Sequence, residues 1–201
     1  MPDKSSKRSV SSIHETVLAT ASGGLSIALA TLLSLLTLYR MPQGGTITPA
    51  SMLPIIFCGL AFGPAWGIGI GAVYGLLQFI IAPFAAHWAS IFLDYPLAFA
   101  MLGLAGLFAP RRTVRTGQGH VLRRIGLLKM TRIMAGIWLA VLGRLIMHLL
   151  SGVIFYRSYA VEAGQNPWIY SIIYNVTYMV PEAVIVTVLM LALSYLFRPS
   201  R

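Results

Sequence analysis

The stretch SIFLDYPLAFAMLGLAGLF, residues 90–108, is apolar over nearly its whole length but contains one carboxylate, Asp94. A run of about 20 apolar residues is long enough to cross a membrane as an α-helix. A carboxylate inside such a helix is costly to bury, so it normally faces the interior of a helix bundle and has a partner there. This stretch therefore predicts both a membrane-spanning helix and a candidate functional site.

The rest of the chain has the composition of a protein that crosses the membrane several times. Of its 201 residues, 57% are hydrophobic and only 10% are charged, and the mean hydropathy is +0.78. Soluble domains have about 25% charged residues. Six apolar segments can be drawn, at about residues 16–39, 49–62, 64–83, 90–109, 131–156 and 168–197. Because a backbone in lipid must satisfy its own hydrogen bonds, we predict a single all-α integral membrane domain, residues 1–201, with six transmembrane helices.

The placement of the positive charge predicts the orientation of these helices. The formal net charge is +10, and basic residues concentrate in the N-terminal segment 1–15, the loop 110–130 and the C-terminal end. Lys and Arg are enriched in cytoplasmic loops, so we expect both termini and the 110–130 loop in the cytoplasm. The opposite side then receives the loops around 40–48, 84–89 and 157–167. The same pattern favours contacts with membrane lipid over nucleic-acid binding and predicts a multi-pass protein of the cell membrane.

Aromatic and polar side chains cluster near the predicted outer ends of the last three segments. They are Asp94 and Tyr95, His148 and Tyr156, and Trp168, Tyr170, Tyr174, Asn175 and Tyr178. Aromatic faces attract organic cations, at about 0.5–2 kcal/mol per contact, so Asp94 among these residues indicates a counter-charge for a cationic ligand. The alternative is that Asp94 pairs with Arg144 or His148 and only holds two helices together.

Two further features of the membrane segments leave their roles open. Glu182 is a second carboxylate, for which we favour a structural role over one as a deeper acid of the site. The first segment contains small residues four apart, Ala19 with Gly23 and Gly24 with Ala28. This spacing allows another helix to approach closely, and that helix belongs either to a partner protein or to the same bundle.

The sequence offers little support for enzymatic or metal chemistry. Cys58 is the single cysteine, so no thiol pair is available. The four histidines are scattered without metal-ligand spacing. The sequence also lacks a Walker A pattern, a Gly-x-Ser-x-Gly elbow and an HExxH motif. We therefore expect no catalytic residues, no metal and no cofactor.

Five stretches of the sequence are more specific together than any one of them alone. They are MPQGGTIT (41–48), YGLLQF (74–79), LDYPLAFA (93–100), RLIMHLLSGVIFY (144–156) and NPWIYSIIYNVTYMVP (166–181). In this order they resemble the thiamine-specific S components of energy-coupling-factor (ECF) transporters of prokaryotic plasma membranes. The resemblance implies a six-helix protein that captures thiamine outside the cell with high affinity. It also implies docking onto a coupling membrane protein with two cytoplasmic ATPase subunits, with Ala19, Gly23, Gly24 and Ala28 as the candidate docking face.

The resemblance also implies which residues bind the vitamin. Asp94 stands where the family usually has a glutamate next to a tyrosine, and would hold the aminopyrimidine or the positive charge of thiamine. Tyr156 replaces an aromatic residue that is often tryptophan. The other implied binding residues are Tyr95, His148, Tyr170, Asn175 and, as a further aromatic position, Tyr74.

Other functions stay open at the level of sequence. The chain could be an S component or a stand-alone carrier for a related pyrimidine or another vitamin. It could be an integral membrane enzyme with Asp94 and His148 as an acid–base pair. It could also be a structural subunit in which Asp94 is paired internally.

Overall fold

The computed structural model describes residues 4–111 and 120–198, with side chains from residue 12 onward. The basic segment 1–15 and the basic loop 110–130 therefore lie partly outside the described residues. The elements are α1 (Lys4–Leu35), β1 (Tyr39–Arg40), β2 (Thr46–Ile47), α2 (Leu53–Phe62), α3 (Pro64–Ile81), α4 (Ser90–Phe108), α5 (Val121–Gly126), α6 (Met130–Phe155), α7 (Arg157–Glu162) and α8 (Pro167–Leu196). Apart from one two-stranded hairpin, the described elements are helical, which confirms the prediction of a helical membrane protein.

Five of the described helices are long and apolar enough to cross a membrane. The second predicted segment, 49–62, differs from the prediction because only Leu53–Phe62 is helical. Residues 48–52 approach this helix as an irregular chain in which the Ala50 N–H donates to the Thr48 carbonyl at 2.8 Å. Ala50 has a positive φ of 77° and is buried, as is Met52. Irregular backbone at membrane depth is tolerated only when protein surrounds it or it lines a cavity, so a sixth full-length helix stays a prediction.

The helix that carries Asp94 is not regular. Within α4, residues Leu93–Leu97 form a π-helical turn that contains Pro96, and Leu102–Phe108 form a 3₁₀-helix. Proline has no backbone N–H and clashes with the preceding turn of an α-helix, which accounts for the π-helical turn around Pro96. Single π-helical turns occur often at functional sites, and this one displays Asp94 and Tyr95.

Close packing of α3 against α4 fixes the position of that turn. Gly67, Gly71 and Gly75 are four residues apart on α3 and all face the α4 backbone. A Cβ atom on Gly75 would lie 2.5 Å from the Tyr95 carbonyl oxygen, and one on Gly71 would overlap the Phe99 carbonyl. Only glycine allows the two backbones to approach so closely, as is common between membrane helices.

The two ends of the bundle have different characters. At one end, buried Arg124 of α5 donates to both carboxylate oxygens of Glu15 of α1, at 2.8 and 2.7 Å, and stacks 4.9 Å from the Phe62 ring. The Ser194 hydroxyl of α8 donates to the Ile125 carbonyl at the same end. The structure therefore brings the start of α1, the basic α5 and the end of α8 together. This arrangement is compatible with the predicted topology, whose assignment of that end to the cytoplasm stays a prediction.

Candidate functional site

A cavity of about 380 Å³ lies at the other end of the bundle, among the hairpin, α3, α4, α6 and α8. Small-molecule sites typically have volumes of about 300–1,000 Å³. The seven residues predicted to bind ligand all line it: Tyr74, Asp94, Tyr95, His148, Tyr156, Tyr170 and Asn175. The structure thus places them around one space, while their role in binding stays a prediction.

Asp94 is held by α6. Its Oδ2 accepts a hydrogen bond from the Ser151 hydroxyl at 2.7 Å, and its Oδ1 lies 3.1 Å from His148 Nδ1. On the far side of the imidazole, Arg144 Nε donates to His148 Nε2 at 3.3 Å. Because a guanidinium only donates, Nε2 must accept, so the His148 proton is on Nδ1 and points to Asp94. The Asp94–His148 pair is therefore present, and Arg144 reaches Asp94 through the imidazole.

Arg144 has donor capacity that these contacts do not use. Its side chain is 8% exposed and its guanidinium carbon lies 4.2 Å from the centre of the Phe99 ring. Its Nη1 atom is buried and has no hydrogen-bond partner among the described residues. Buried donors are nearly always satisfied, so a ligand acceptor or an ordered water is expected at this atom.

Glu182 is a second carboxylate in the wall of the cavity and is 2% exposed. Its Oε1 accepts hydrogen bonds from the hydroxyls of Thr48 and Ser51. The Ser51 N–H in turn donates to Thr48 Oγ1, at 3.1 Å, which leaves the Thr48 proton for the carboxylate. Glu182 therefore holds the irregular residues 48–52, which precede α2, against α8. This contact fits the structural role favoured from the sequence, and the carboxylate also lies beside the cavity.

An aromatic wall lines one side of the cavity. The rings of Tyr170 and Tyr174 are stacked, 6.3 Å apart, and Tyr178 meets Tyr174 edge to face at 5.8 Å. The hydroxyls of Tyr170 and Tyr174 accept hydrogen bonds from the hairpin, from the Gln43 amide and the Gly45 N–H. These tyrosines therefore both line the cavity and anchor the hairpin above it.

Asn175 and Tyr74 are satisfied within the protein. The Asn175 amide donates to the Ser171 carbonyl at 2.9 Å, and its oxygen accepts from the Tyr178 hydroxyl at 2.8 Å. Tyr74 is buried and donates to the Ala30 carbonyl at 3.2 Å. Tyr74 thus lines the cavity with its hydroxyl already bonded to α1, whereas Asn175 holds Tyr178 in place.

On the opposite side of the cavity, tyrosine hydroxyls also anchor the loop between α3 and α4. The Tyr95 hydroxyl accepts from the Phe84 N–H at 2.8 Å and donates to the Ala82 carbonyl at 2.9 Å. The Tyr156 hydroxyl accepts from the Ala86 N–H, and its ring stacks on Phe84 with centres 5.9 Å apart. Partial burial raises the pKa of the Tyr156 hydroxyl, so it stays protonated at neutral pH.

Several residues of the site were not selected from the sequence. They are Gln43, Phe84 and Ser151, and of these Ser151 could have been found because it lies one helical turn after His148 on the same face. Gln43 and Phe84 belong to loops whose positions no periodic pattern specifies. Arg144 and Glu182 were noted, but the sequence left their partners open.

The four small residues of α1 divide into two pairs. Ala19 and Gly23 are buried, and a Cβ atom on Gly23 would lie 2.8 Å from Ile70 of α3. These two residues pack inside the bundle, which is the alternative that the sequence left open, and their part in a docking face stays a prediction. Gly24 and Ala28 are exposed, and a Cβ atom on Gly24 would meet nothing within 4 Å.

Comparison with known proteins identifies the family. The sequence model of the family described as "Thiamine transporter protein (Thia_YuaJ)" matches residues 20–199. The chain belongs to the thiamine transporter family. Thiamine transporter ThiT of Bacillus subtilis (strain 168) is 34% identical over 154 residues, 75% of each chain. Thiamine transporter ThiT of Lacticaseibacillus paracasei is 34% identical over 110 residues, 54% of this chain and 45% of that protein.

The fold is shared with a solved structure. The crystal structure of ThiT from Listeria monocytogenes superposes with a TM-score of 0.70, covers 92% of this chain and 99% of its own, and is 20% identical. At this identity the likeness shows the fold alone. Membership of a transporter family confirms the prediction that the protein is a transport protein and not an enzyme.

Proposed function

We propose that this thiamine transporter family member is the thiamine-binding S component of an ECF transporter in a prokaryotic plasma membrane. The observation that carries the proposal is the cavity, in which a hydrogen-bonded carboxylate faces a wall of tyrosines. Thiamine joins an aminopyrimidine to a permanently cationic thiazolium. A carboxylate suits the exocyclic amine and the positive charge, and tyrosine faces suit both flat rings.

The contacts inside the cavity support separate roles for its residues. Asp94 keeps one free lone-pair direction on each oxygen beyond the bonds to His148 and Ser151, so it can accept from an exocyclic amine. Arg144 Nη1 can donate to a ring nitrogen of the pyrimidine. The rings of Tyr170 and Tyr174 would pack against the ligand, and Tyr95 and Tyr156 would close the other side together with Phe84.

The position of the cavity, taken with the predicted topology, supports uptake into the cell. It lies at the end opposite Glu15 and Arg124, and the predicted topology assigns that end to the outside of the cell. The protein would capture thiamine there and deliver it when docked on a coupling membrane protein with two ATPase subunits. Gly24 and Ala28 form the part of the predicted docking face that remains on the surface of α1.

Calorimetric titration of the purified protein in detergent with thiamine tests the proposal. Saturable binding is expected, and Asp94→Asn should weaken it by about 10–100-fold, because hydrogen bonds to a charged group contribute about 1.5–3 kcal/mol. Glu162→Gln is the matched control, since it neutralises an exposed carboxylate of α7 and should leave the affinity unchanged. Absence of binding by folded, unaltered protein would refute the proposal, and competition by the pyrimidine half alone would point to the related-pyrimidine alternative.

A further inference from the structure

The short helix α5 lies at the end of the bundle opposite the cavity, and consecutive buried residues form its inner side. Arg124 is 1% exposed, and Ile125 and Gly126 are buried next to it. The basic residues on either side, Arg123 and Lys129, are exposed, as is typical of a positively charged loop beside a membrane. Arginine is almost never fully buried unless it is paired. Arg124 therefore has a role inside the protein that these basic neighbours do not share.

Arg124 connects α5 to both α1 and α2. Its guanidinium donates to both carboxylate oxygens of Glu15 on α1, at 2.8 and 2.7 Å. The same group lies 4.9 Å from the centre of the Phe62 ring, and its Nη1 is 3.4 Å from the Ala61 carbonyl in the last turn of α2. Carbonyls at the end of a helix have no partner within that helix. One side chain thus holds the first half of α1 against the end of α2.

The buried side of α5 is also joined to α8. The Ser194 hydroxyl of α8 donates to the Ile125 carbonyl at 3.3 Å. A Cβ atom on Gly126 would overlap the carbonyl of Phe197, the residue that follows α8, so only glycine lets the two backbones come this close. Two independent contacts therefore attach α5 to the end of α8.

These contacts bridge helices that otherwise pack on different neighbours. Within the described residues, α1 packs mainly against α2 and α3, whereas α8 packs mainly against α6. Apolar helices in lipid have no hydrophobic driving force for association, so close packing and hydrogen bonds between them decide how they are arranged. The ion pair between α5 and α1 therefore helps to fix the angle at which α1 is held.

The angle of α1 determines how its exposed small residues are presented. Gly24 comes nine residues after Glu15, about 14 Å along the helix axis, and Ala28 lies one turn further. Small residues allow a second helix to approach closely, and packed helices meet at preferred crossing angles. Arg124 is thus placed to set, through Glu15, the orientation of the predicted docking face.

We propose that α5 is a strut that fixes the orientation of α1 relative to α2 and α8, and that Arg124 and Glu15 are positioning residues for docking on the coupling protein. The strut and the cavity lie at opposite ends of the bundle, so thiamine binding does not depend on the strut. Uptake does depend on it, because the docking face must meet its partner at a fixed angle. The role of the strut rests on the proposed function, in which α1 is the docking helix of an S component.

The test replaces the ion pair by an apolar pair, Glu15→Leu with Arg124→Met. Exchange of a buried ion pair for apolar residues is often neutral for stability, so this double variant should fold while losing the hydrogen bonds between α1, α5 and α2. Its thiamine affinity, measured by calorimetry in detergent, should stay within about twofold of that of the unaltered protein, because distant sites act independently. Thiamine uptake by liposomes that contain the variant, the coupling protein and both ATPase subunits should fall by about tenfold, the usual effect of losing a charge-assisted hydrogen bond.

Two further variants sharpen the test. Arg123→Met is the matched control, because it removes the same charge from the exposed neighbour on α5, and it should leave stability, affinity and uptake unchanged. Arg124→Lys keeps the charge but loses the planar fork that bonds both oxygens of one carboxylate. Its uptake should fall by a smaller factor at unchanged affinity. If the apolar pair does not fold, normal uptake by Arg124→Lys overturns the proposal in its place.

The outcomes separate docking from stability. Uptake at the normal rate by the folded Glu15→Leu/Arg124→Met protein would overturn the proposal, because the ion pair would then serve stability alone. Loss of thiamine affinity in proportion to the loss of uptake would also overturn it, since the strut would then act on the cavity. Co-purification of the coupling protein is a second measurement and should weaken together with uptake. Failure of the unaltered protein to bind thiamine is a separate result that refutes the proposed function itself.

Discussion

The backbone contact between α3 and α4 gives the sharpest prediction, the effect of Gly75→Ala. The added Cβ atom would lie 2.5 Å from the Tyr95 carbonyl oxygen and 2.8 Å from the Pro96 Cα. Ordinary van der Waals contact begins near 3.4 Å, so the two helices must separate by about 1 Å in a close-packed interior. Overpacking of this kind costs about 1–3 kcal/mol.

The displaced atoms adjoin Asp94, so ligand affinity should fall together with stability. A misplacement of about 1 Å in a positioned group can cost on the order of 100-fold in function. The assay is thermal unfolding in detergent followed by thiamine titration. Loss of about 1–3 kcal/mol should lower the midpoint by several degrees, at about 2–4 °C per kcal/mol for a chain of this size.

Gly69→Ala is the matched control on the same helix. A Cβ atom on Gly69 would meet nothing within 4 Å, and alanine is favoured over glycine in helices by about 1 kcal/mol. This variant should be as stable as the unaltered protein or more so, with the same affinity. If Gly75→Ala behaved like Gly69→Ala in both measurements, the argument that glycine is required at the α3–α4 contact would be wrong.

Three further predictions concern other parts of the chain. Ser151→Ala removes the 2.7 Å hydrogen bond to Asp94 and should weaken thiamine binding by about tenfold, as measured by calorimetry; unchanged affinity would show that Ser151 does not position the carboxylate. Arg124→Ala leaves the Glu15 carboxylate buried without its partner and should cost about 3–5 kcal/mol of stability, whereas a shift no larger than that of an exposed substitution would argue against this ion pair. Gly24→Leu places a large side chain on the exposed face of α1 and should reduce uptake by the assembled transporter while leaving thiamine affinity unchanged; uptake at the normal rate would remove Gly24 from the docking face.

Hydrophobic patterning was sufficient to predict the helical membrane fold and four of the long helices with only small errors at their ends. It failed at the residues before α2, because irregular backbone buried by protein has no characteristic period. The π-helical turn of α4 was also missed: a proline in an apolar run indicates a distortion but not its form. The glycine stripe of α3 is visible in the sequence, yet which helix it meets depends on the tertiary arrangement.

The sequence predicted which residues form the candidate site better than it predicted the contacts between their side chains. A carboxylate, a histidine and several tyrosines at one membrane depth pointed to a single cavity, and the structure brings them together. The sequence could not show that Arg144 contacts Asp94 through His148, since that depends on the angle between α4 and α6. Nor could it show that Gly23 faces α3 while Gly24 faces outward, because small residues suit both environments.

The tyrosines of the cavity connect its walls to its covering loops. Each ring of Tyr95, Tyr156, Tyr170 and Tyr174 lines the cavity, and each hydroxyl bonds to a residue of a loop above it. A ligand that immobilises the rings therefore also restricts the loops, so ordering of the loops and ligand binding in the cavity are thermodynamically coupled. Substitution of these tyrosines by phenylalanine would separate the two effects, because the ring stays in the wall while the hydrogen bond to the loop is lost.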